Sequence, residues 1–231
     1  MRRVLLKLSG EALAGEKGTG FDEETVMKVA RQVEKIVGEG IQLAVVIGGG
    51  NFWRGRTSGA IERTHADQIG MLATVMNAIY TSEIFRSLGM KTTVMTPFQI
   101  GAFTELFSKD KAVEALEEGK VVFFAGGTGH PYFSTDTGVV LRAIEMEADE
   151  ILLAKAVDGV YDSDPRNNPD AKRFDEISID EVVARGLKVV DGAASVMAQE
   201  NRMPMLVFGL SGEDSILRAA QGIIDGTRVT V

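Results

Sequence analysis

Short apolar runs alternate along this chain with longer stripes of helical period. Arg3 to Leu8 and Gln42 to Ile47 are leucine- and valine-rich runs with the length of a buried strand. Between them Val26, Val29, Ala30, Val33, Ile36 and Val37 recur at helical spacing, with Asp22 placed to cap the helix and Gly38 and Gly40 to stop it. A long helix is predicted from about Thr64, with Ile69, Leu72, Ala73, Met76, Ile79 and Tyr80 as its apolar stripe and Gly89 at its close. In it Met71 and Met76 read as core or interface fillers. Further strands are predicted at Lys91 to Thr96, Val121 to Ala125, Ile151 to Ala154, Met205 to Phe208 and Arg228 to Val231. The intervening helices run from a Ser108 cap to Glu118, from the Asp136 region to about Met146, and near Ile179 to Arg185, Ala193 to Asn201 and Ser215 to Gln221. Strands alternating with helices predict an α/β fold, a mainly parallel sheet covered on both faces.

If the sheet is parallel, the loops after successive strands open on one edge, and four of them carry chemistry. They begin at Ser9, Gly48, Gly126 and Lys155. Gly48, Gly49 and Gly50 follow their strand directly; three bare residues let a ligand reach clustered backbone N–H groups, which suit an anion such as phosphate. Known phosphate motifs do not fit. Gly10 and Gly15 have P-loop spacing, but Glu16 stands where that loop needs lysine, and the glycines at 15, 18 and 20 do not make a dinucleotide fingerprint.

Composition narrows the partners. The net charge of −8 over 231 residues argues against a nucleic acid or an anionic membrane, so any bound anion needs a local basic pocket. With no cysteine, disulfides, thiol nucleophiles and Cys-ligated zinc are excluded. Lys7 interrupts the first apolar run too early for a signal peptide, and no run approaches the ~18 apolar residues of a membrane span. These features predict one cytoplasmic domain.

Lys7 brings positive charge to the first loop, and Arg54 is close enough to the triple glycine to clamp a phosphate, although Arg56 and Arg63 nearby make a solvated arginine equally reasonable. Asp67, near the start of the long helix, reads first as a dipole-compensating acid, with ribose binding as its functional alternative. The loop Thr128, Gly129, His130, Pro131, Tyr132, Phe133, Ser134, Thr135 joins hydroxyls to flat apolar faces and suits a planar base, while Ser134 and Thr135 also suit a helix cap. Asp136 follows as a first-turn carboxylate. The two histidines, His65 and His130, lack metal-ligand spacing, and Asp158, Asp162 and Asp164 read as turn chemistry. Trp53 either stacks on a ligand or packs at an interface. No Ser-His-Asp or Cys-His set is evident. A reaction whose nucleophile is already an anion needs charge neutralisation more than a base, and phosphoryl transfer onto phosphate is such a reaction. Lys7, Arg54, Lys155 and a magnesium ion carried by a nucleoside triphosphate would supply the charge.

Lys7 to Leu13, Val46 to Asn51 with Arg54 and Gly55, Gly70 to Asn77, Gly127 to Asp136, and Val157 to Tyr161 with Asp164 and Pro165 together resemble the bacterial uridylate kinases of the amino-acid-kinase superfamily. The resemblance implies that superfamily's three-layer α/β/α sandwich, with residues 1–150 mainly on the UMP side and 151–231 mainly on the ATP side. It implies transfer of the ATP γ-phosphoryl group to UMP in pyrimidine nucleotide biosynthesis, with Mg2+ accompanying ATP. A cytoplasmic homohexamer, activated by GTP and inhibited by UTP, is also implied. By motif position, Lys7, Leu8, Ser9, Gly10, Gly50, Arg54, Lys155, Tyr161 and Asp164 fall on the ATP side. Gly49, Asp67 and Thr128 to Thr135 fall on the UMP side, which moves Asp67 toward ribose. Lys7, Arg54, Asp136 and Lys155 are the implied catalytic set. Gly15, Glu16, Lys17, Gly18, Thr19 and Gly20 match the region that binds the GTP activator in some relatives. Two positions depart from the pattern: His130 stands where relatives commonly have Asn, and Lys155 where relatives vary. The alternatives are a superfamily sibling that phosphorylates an amino-acid carboxylate or carbamate, and a non-catalytic nucleotide sensor. The aromatic residues Tyr132 and Phe133 favour a flat base.

Overall fold

Strand β1 (Arg3–Leu8) occupies the middle of a nine-stranded sheet, with β2 (Gln42–Ile47) and β6 (Glu150–Lys155) parallel to it on either side. The structure is a computed structural model that describes residues 1–53, 61–223 and 225–231. Beyond β2 lie β5 (Val121–Phe124), β3 (Thr92–Thr96) and the two-residue β4 (Glu105–Leu106); beyond β6 lie β8 (Met205–Gly209), β9 (Gly226–Thr230) and β7 (Glu176–Ser178). Every pairing is parallel except β8 with β9.

Successive side chains of β1 point to opposite faces, and both faces are covered. Val4, Leu6 and Leu8 pack with helices α2 (Glu23–Gly38), α3 (Arg63–Ser87) and α8 (Ser215–Ala220). Leu5 and its neighbours pack with α4 (Lys109–Glu117), α5 (Thr135–Glu145), α6 (Ile179–Ala184) and α7 (Gly192–Glu200). The result is the expected three-layer α/β/α sandwich.

Four small elements were not predicted: α1 (Gly10–Leu13), a 3-10 turn at Gly15–Lys17, β4 and β7. They are too short to show a period, and β4 is exposed on both residues. Ser108 sits at the N-cap of α4 without a side-chain hydrogen bond. The last strand begins at Gly226, ahead of the predicted Arg228, because the pairing with β8 continues to Phe208; a side chain at Gly226 would lie 2.1 Å from the Val207 carbonyl.

The larger correction concerns α3. It starts at Arg63, with the Glu62 carboxylate accepting from the N–H groups of Thr64 and His65. Its predicted apolar stripe faces the core only in part: Ala73 is buried and Tyr80 packs against the core, but Ile69, Leu72, Met76 and Ile79 are exposed, while Thr74, Asn77, Thr81 and Ser82 are buried. Periodicity reported a face, and tertiary contacts decided which way it points.

Candidate active site

The ends of β1, β2, β5 and β6 converge on one edge of the sheet, at the point where the strand order runs outward in both directions from β1. Open α/β sheets bind ligands at such a point. Two cavities open there, one of about 290 Å³ and one of about 1070 Å³, and both are lined by Ser9 and Glu11.

The first two loops lock together through missing side chains. Ser9 caps α1, its Oγ accepting from the Ala12 N–H at 3.1 Å. A Cβ on Gly10 would lie 2.3 Å from both Asn51 Oδ1 and the Gly48 carbonyl, so only glycine fits. A Cβ on Gly49 would lie 2.9 Å from Ala73 Cβ and 2.9 Å from the Gly70 carbonyl. Its bareness therefore admits α3, a role its sequence context did not reveal.

The third loop delivers α5. Ser134 Oγ accepts from the N–H groups of Asp136 and Thr137 at 3.1 and 3.3 Å and donates to Asp191, the N-cap of α7. Asp191 also accepts from Thr137 Oγ1 at 3.0 Å and the Ala194 N–H at 3.1 Å. Burial would raise the Asp191 carboxyl, but the hydrogen bonds from Ser134, Ala194 and Thr137 outweigh it and hold it below the usual aspartate range. Thus fixed, α5 sets Asp136 Oδ1 3.0 Å from Lys7 Nζ. The contact is electrostatic, since that oxygen has no aligned hydrogen-bond donor. Lys155, at the end of β6, donates to the Val189 carbonyl. Burial pushes its ammonium below the ordinary lysine value, a tendency Asp136 opposes and Lys7 reinforces. Two lysines and one carboxylate thus form a partly desolvated group with net positive charge.

The smaller cavity gathers Lys7, Ser9, Gly10, Gly49, Gly50, Asp67, Thr128, His130, Phe133, Ser134 and Thr135. Gly129, Pro131 and Tyr132 complete that loop without lining it; Tyr132 instead donates its N–H to Asp67 Oδ2 at 2.8 Å, at a φ of +72°. Leu8 and Lys155 face the larger cavity. Tyr161 and Asp164 line neither. The Tyr161 hydroxyl donates to Asp158 at 2.7 Å, and Asp164 is occupied by the N–H and guanidinium of Arg166. Gly15 to Gly20 also lie outside both cavities. Arg54 falls outside the described residues.

Sequence reasoning did not single out Arg63 as a lining group or Asp191 as a support of α5. Arg63 ion-pairs with Asp67 at 2.7 Å and lies over the Tyr132 ring at 5.2 Å; the four-residue spacing to Asp67 was the available signal. Trp53 packs on α3, its indole N–H donating to the Ala66 carbonyl at 2.8 Å, and it also lines the smaller cavity. Nothing in the local sequence marks Asp191 beyond a cap position before Gly192.

A family model for the amino acid kinase family matches residues 2–209. The chain belongs to the amino acid kinase family. Among solved structures, this amino acid kinase is similar to the UMP kinase from Bacillus anthracis, at 37% identity and a TM-score of 0.95 over 99% of this chain and 96% of that one. It is also similar to the UMP kinase from Ureaplasma parvum, at 33% identity and a TM-score of 0.94 over 100% of this chain and 99% of that one. The resemblance noted from its motifs therefore extends over the whole fold.

Proposed function

We propose that this amino acid kinase transfers the γ-phosphoryl group of ATP to UMP, giving UDP and ADP, as a step of pyrimidine nucleotide biosynthesis. The observation that supports the reading is the cleft itself: Lys7, ion-paired to Asp136, lines the smaller cavity together with the glycine turn and residues of the Thr128–Thr135 loop, and Ser9 and Glu11 line both that cavity and the larger one. A phosphate oxygen of UMP attacks the γ-phosphorus, the bond from that phosphorus to the β,γ-bridging oxygen breaks, and ADP leaves with the electron pair. A dianionic acceptor has no proton to lose, so no general base is required. Lys7 and Lys155 then balance the charge on the equatorial oxygens, Asp136 orients the lysines, and Arg54 holds phosphate. Gly49, Asp67 and residues 128–135 serve UMP; Leu8, Ser9, Gly10 and Gly50 serve ATP. The first 150 residues then form mainly the acceptor side and residues 151–231 mainly the nucleotide side.

Magnesium accompanies the triphosphate in this reading and supplies further positive charge. Among the described residues no group of three or more His, Cys, Asp or Glu converges as a cage. The donor set suits a magnesium held chiefly by phosphate oxygens, with Asp136 the protein carboxylate beside the lysines. GTP activation through Gly15 to Gly20, UTP inhibition and a cytoplasmic location belong to the same reading; no helix among the described residues is long and apolar enough to cross a membrane.

Assembly as a homohexamer belongs to the same reading, and α3 offers the surface for a two-fold contact within it. Its exposed Ile69, Leu72, Met76 and Ile79 follow the alternating three- and four-residue spacing of a helix–helix seam. The surface is also self-complementary about residue 74. Against an antiparallel second copy, Leu72 meets Met76, Ile69 meets Ile79, His65 meets Glu83 and Glu62 meets Arg86, as a two-fold contact requires.

The deciding experiment measures ADP release with UMP, CMP, aspartate or glutamate as acceptor. ADP release dependent on UMP is expected; release with aspartate or glutamate instead would transfer the chain to its carboxylate-phosphorylating siblings, and nucleotide binding without release would make it a sensor. Lys7→Ala is expected to lower kcat by roughly 10³-fold with a much smaller change in the UMP KM, and near-normal turnover would remove Lys7 from the chemistry.

A further inference from the structure

Two buried amides beneath the cleft have no part in the reaction just described. Asn77 of α3 is fully buried and Asn51, after the glycine turn, is 2% exposed. They bond reciprocally, Asn51 Nδ2 to Asn77 Oδ1 at 2.9 Å and Asn77 Nδ2 to Asn51 Oδ1 at 2.8 Å. Asn77 Nδ2 also donates to the Gly48 carbonyl at 2.7 Å, and Asn51 Nδ2 to the Gly20 carbonyl at 2.8 Å. The Asn51 carbonyl in turn accepts from Thr19 Oγ1 at 2.9 Å and the Gly20 N–H at 3.2 Å. Beside them Phe21 stacks on Tyr80 of α3 with ring centroids 3.9 Å apart and meets the edge of Phe52 at 5.2 Å.

A primary amide both donates and accepts in one plane, so each asparagine bridges a partner amide and a backbone carbonyl at once. Removing either leaves buried polar groups unpaired, which makes the network all-or-none. Its position matters more than its strength. The glycine turn and α3 are two walls of the smaller cavity, Gly49 and Gly50 on one and Asp67, Gly70, Met71 and Thr74 on the other. Asn77 lies one helical turn beyond Thr74. The turn and α3 approach each other closely, since even a Cβ on Gly49 would lie 2.9 Å from Ala73 Cβ and from the Gly70 carbonyl. Outward movement is opposed by the Asn77 hydrogen bond to Gly48 and by the Asn pair.

We infer that Asn77, acting through Asn51 and Gly48, is a positioning residue that sets the width of the acceptor cleft, and that Thr19 and Gly20 latch the same turn from outside. The segment Gly15 to Gly20, which lines neither cavity, thereby gains a mechanical route to the acceptor site. The inference rests on the reading of the smaller cavity as the site of the acceptor.

The test compares Asn77→Ala and the exposed-site variant Thr19→Val with wild type, using steady-state kinetics and amide hydrogen exchange. Asn77→Ala is expected to raise the UMP KM on the order of tenfold while the ATP KM stays within about twofold, because only the acceptor wall is released. Exchange at residues 48–52 and 18–20 should accelerate together while the central strands stay protected. Thr19→Val should repeat the pattern at about two- to threefold in UMP KM with an unchanged Tm, and it carries the test if Asn77→Ala does not fold. Equal rises in both KM values, or faster exchange in one segment without the other, would overturn the inference. Exchange requires no turnover. A wild-type chain lacking UMP-dependent ADP release would sink the functional reading, whereas uncoupled exchange would sink the latch.

Discussion

Helices α2 and α3 cover the same face of the sheet, but α3 buries polar side chains beside its apolar Val75, Ala78 and Phe85. Helix α2 is conventional: Val26, Val29, Ala30, Val33 and Ile36 point inward and its charges point out. Helix α3 buries Thr74, Asn77, Thr81 and Ser82 among its inward residues and leaves Ile69, Leu72, Met76 and Ile79 in solvent. The difference follows from what each helix touches. Helix α2 lays an apolar face on the sheet and keeps its polar work at the margin, where Gln32 accepts from the Ile216 and Leu217 N–H groups and the outer residues line the larger cavity. Helix α3 stands over strand-end loops whose backbone groups need partners; Thr74 Oγ1 accepts from the Gly126 N–H at 2.8 Å, and Asn77 holds Gly48. Its apolar residues are then left for a second surface. Helix α3 thus combines polar partners for the strand-end loops with an exposed apolar row.

The contrast is sharpest under Leu72→Glu with Met76→Glu. Carboxylates at the centre of an apolar seam are expected to weaken self-association by about 4 kcal/mol, close to a thousandfold, with the protomer still folded. Sedimentation showing an unchanged mass would mean that α3 exposes those residues for some other purpose. Next comes Ile36→Ala in α2, a fully buried side chain on the conventional helix. It should lower unfolding stability by roughly 3 kcal/mol in denaturant titration and leave the mass distribution alone, the reverse of the α3 variant. Thr74→Val keeps the shape but removes the acceptor for Gly126, and a loss of about 1–2 kcal/mol is expected; a neutral result would show that the inward polar residues of α3 are dispensable.

The smallest effect concerns acid stability at the start of α2. The Thr25 N–H and hydroxyl hold the Asp22 carboxyl below its ordinary value. The charged form is therefore favoured on folding, so its contribution is present above the unfolded carboxyl value of about 3.9 and disappears as pH falls through the lowered folded value. Wild type should exceed Asp22→Asn in Tm at neutral pH and converge with it in acid. A gap that persists at the lowest pH would mean that the cap acts through geometry and not charge.

These helices also explain what was legible in the sequence. The strands and α2 could be read because one partner, the sheet, dictates their pattern; Arg3–Leu8 and Gln42–Ile47 match the predicted runs. The period of α3 was readable but its direction was not, since an apolar stripe looks the same against a core or against another copy. At the site, Lys7, Ser9, the glycines and Ser134 announce themselves by following strands or preceding helices. Asp191 and Asn77 do not. Their importance arises from contacts across 54 and 29 positions, to Thr137 and Gly48, which no local pattern encodes. Tyr161 and Asp164 show the converse: they were placed by motif, and in the structure their polar groups are taken up by neighbours in their own loop.

The central position of β1 has a consequence for how the chain is made. Val4 to Lys7 pair with Glu150 to Leu153, so the strand that leaves the ribosome early must wait for residues about 146 positions later to gain its second neighbour. Until then one edge of an apolar strand lacks its partner, and closing so long a loop is slow relative to local folding. Vectorial synthesis therefore cannot finish the cleft in instalments. A translating chain halted before β6 would expose Leu5 and Leu6 to chaperones, and the lysine that anchors the site would find Asp136 firmly only once the whole sheet has closed around it.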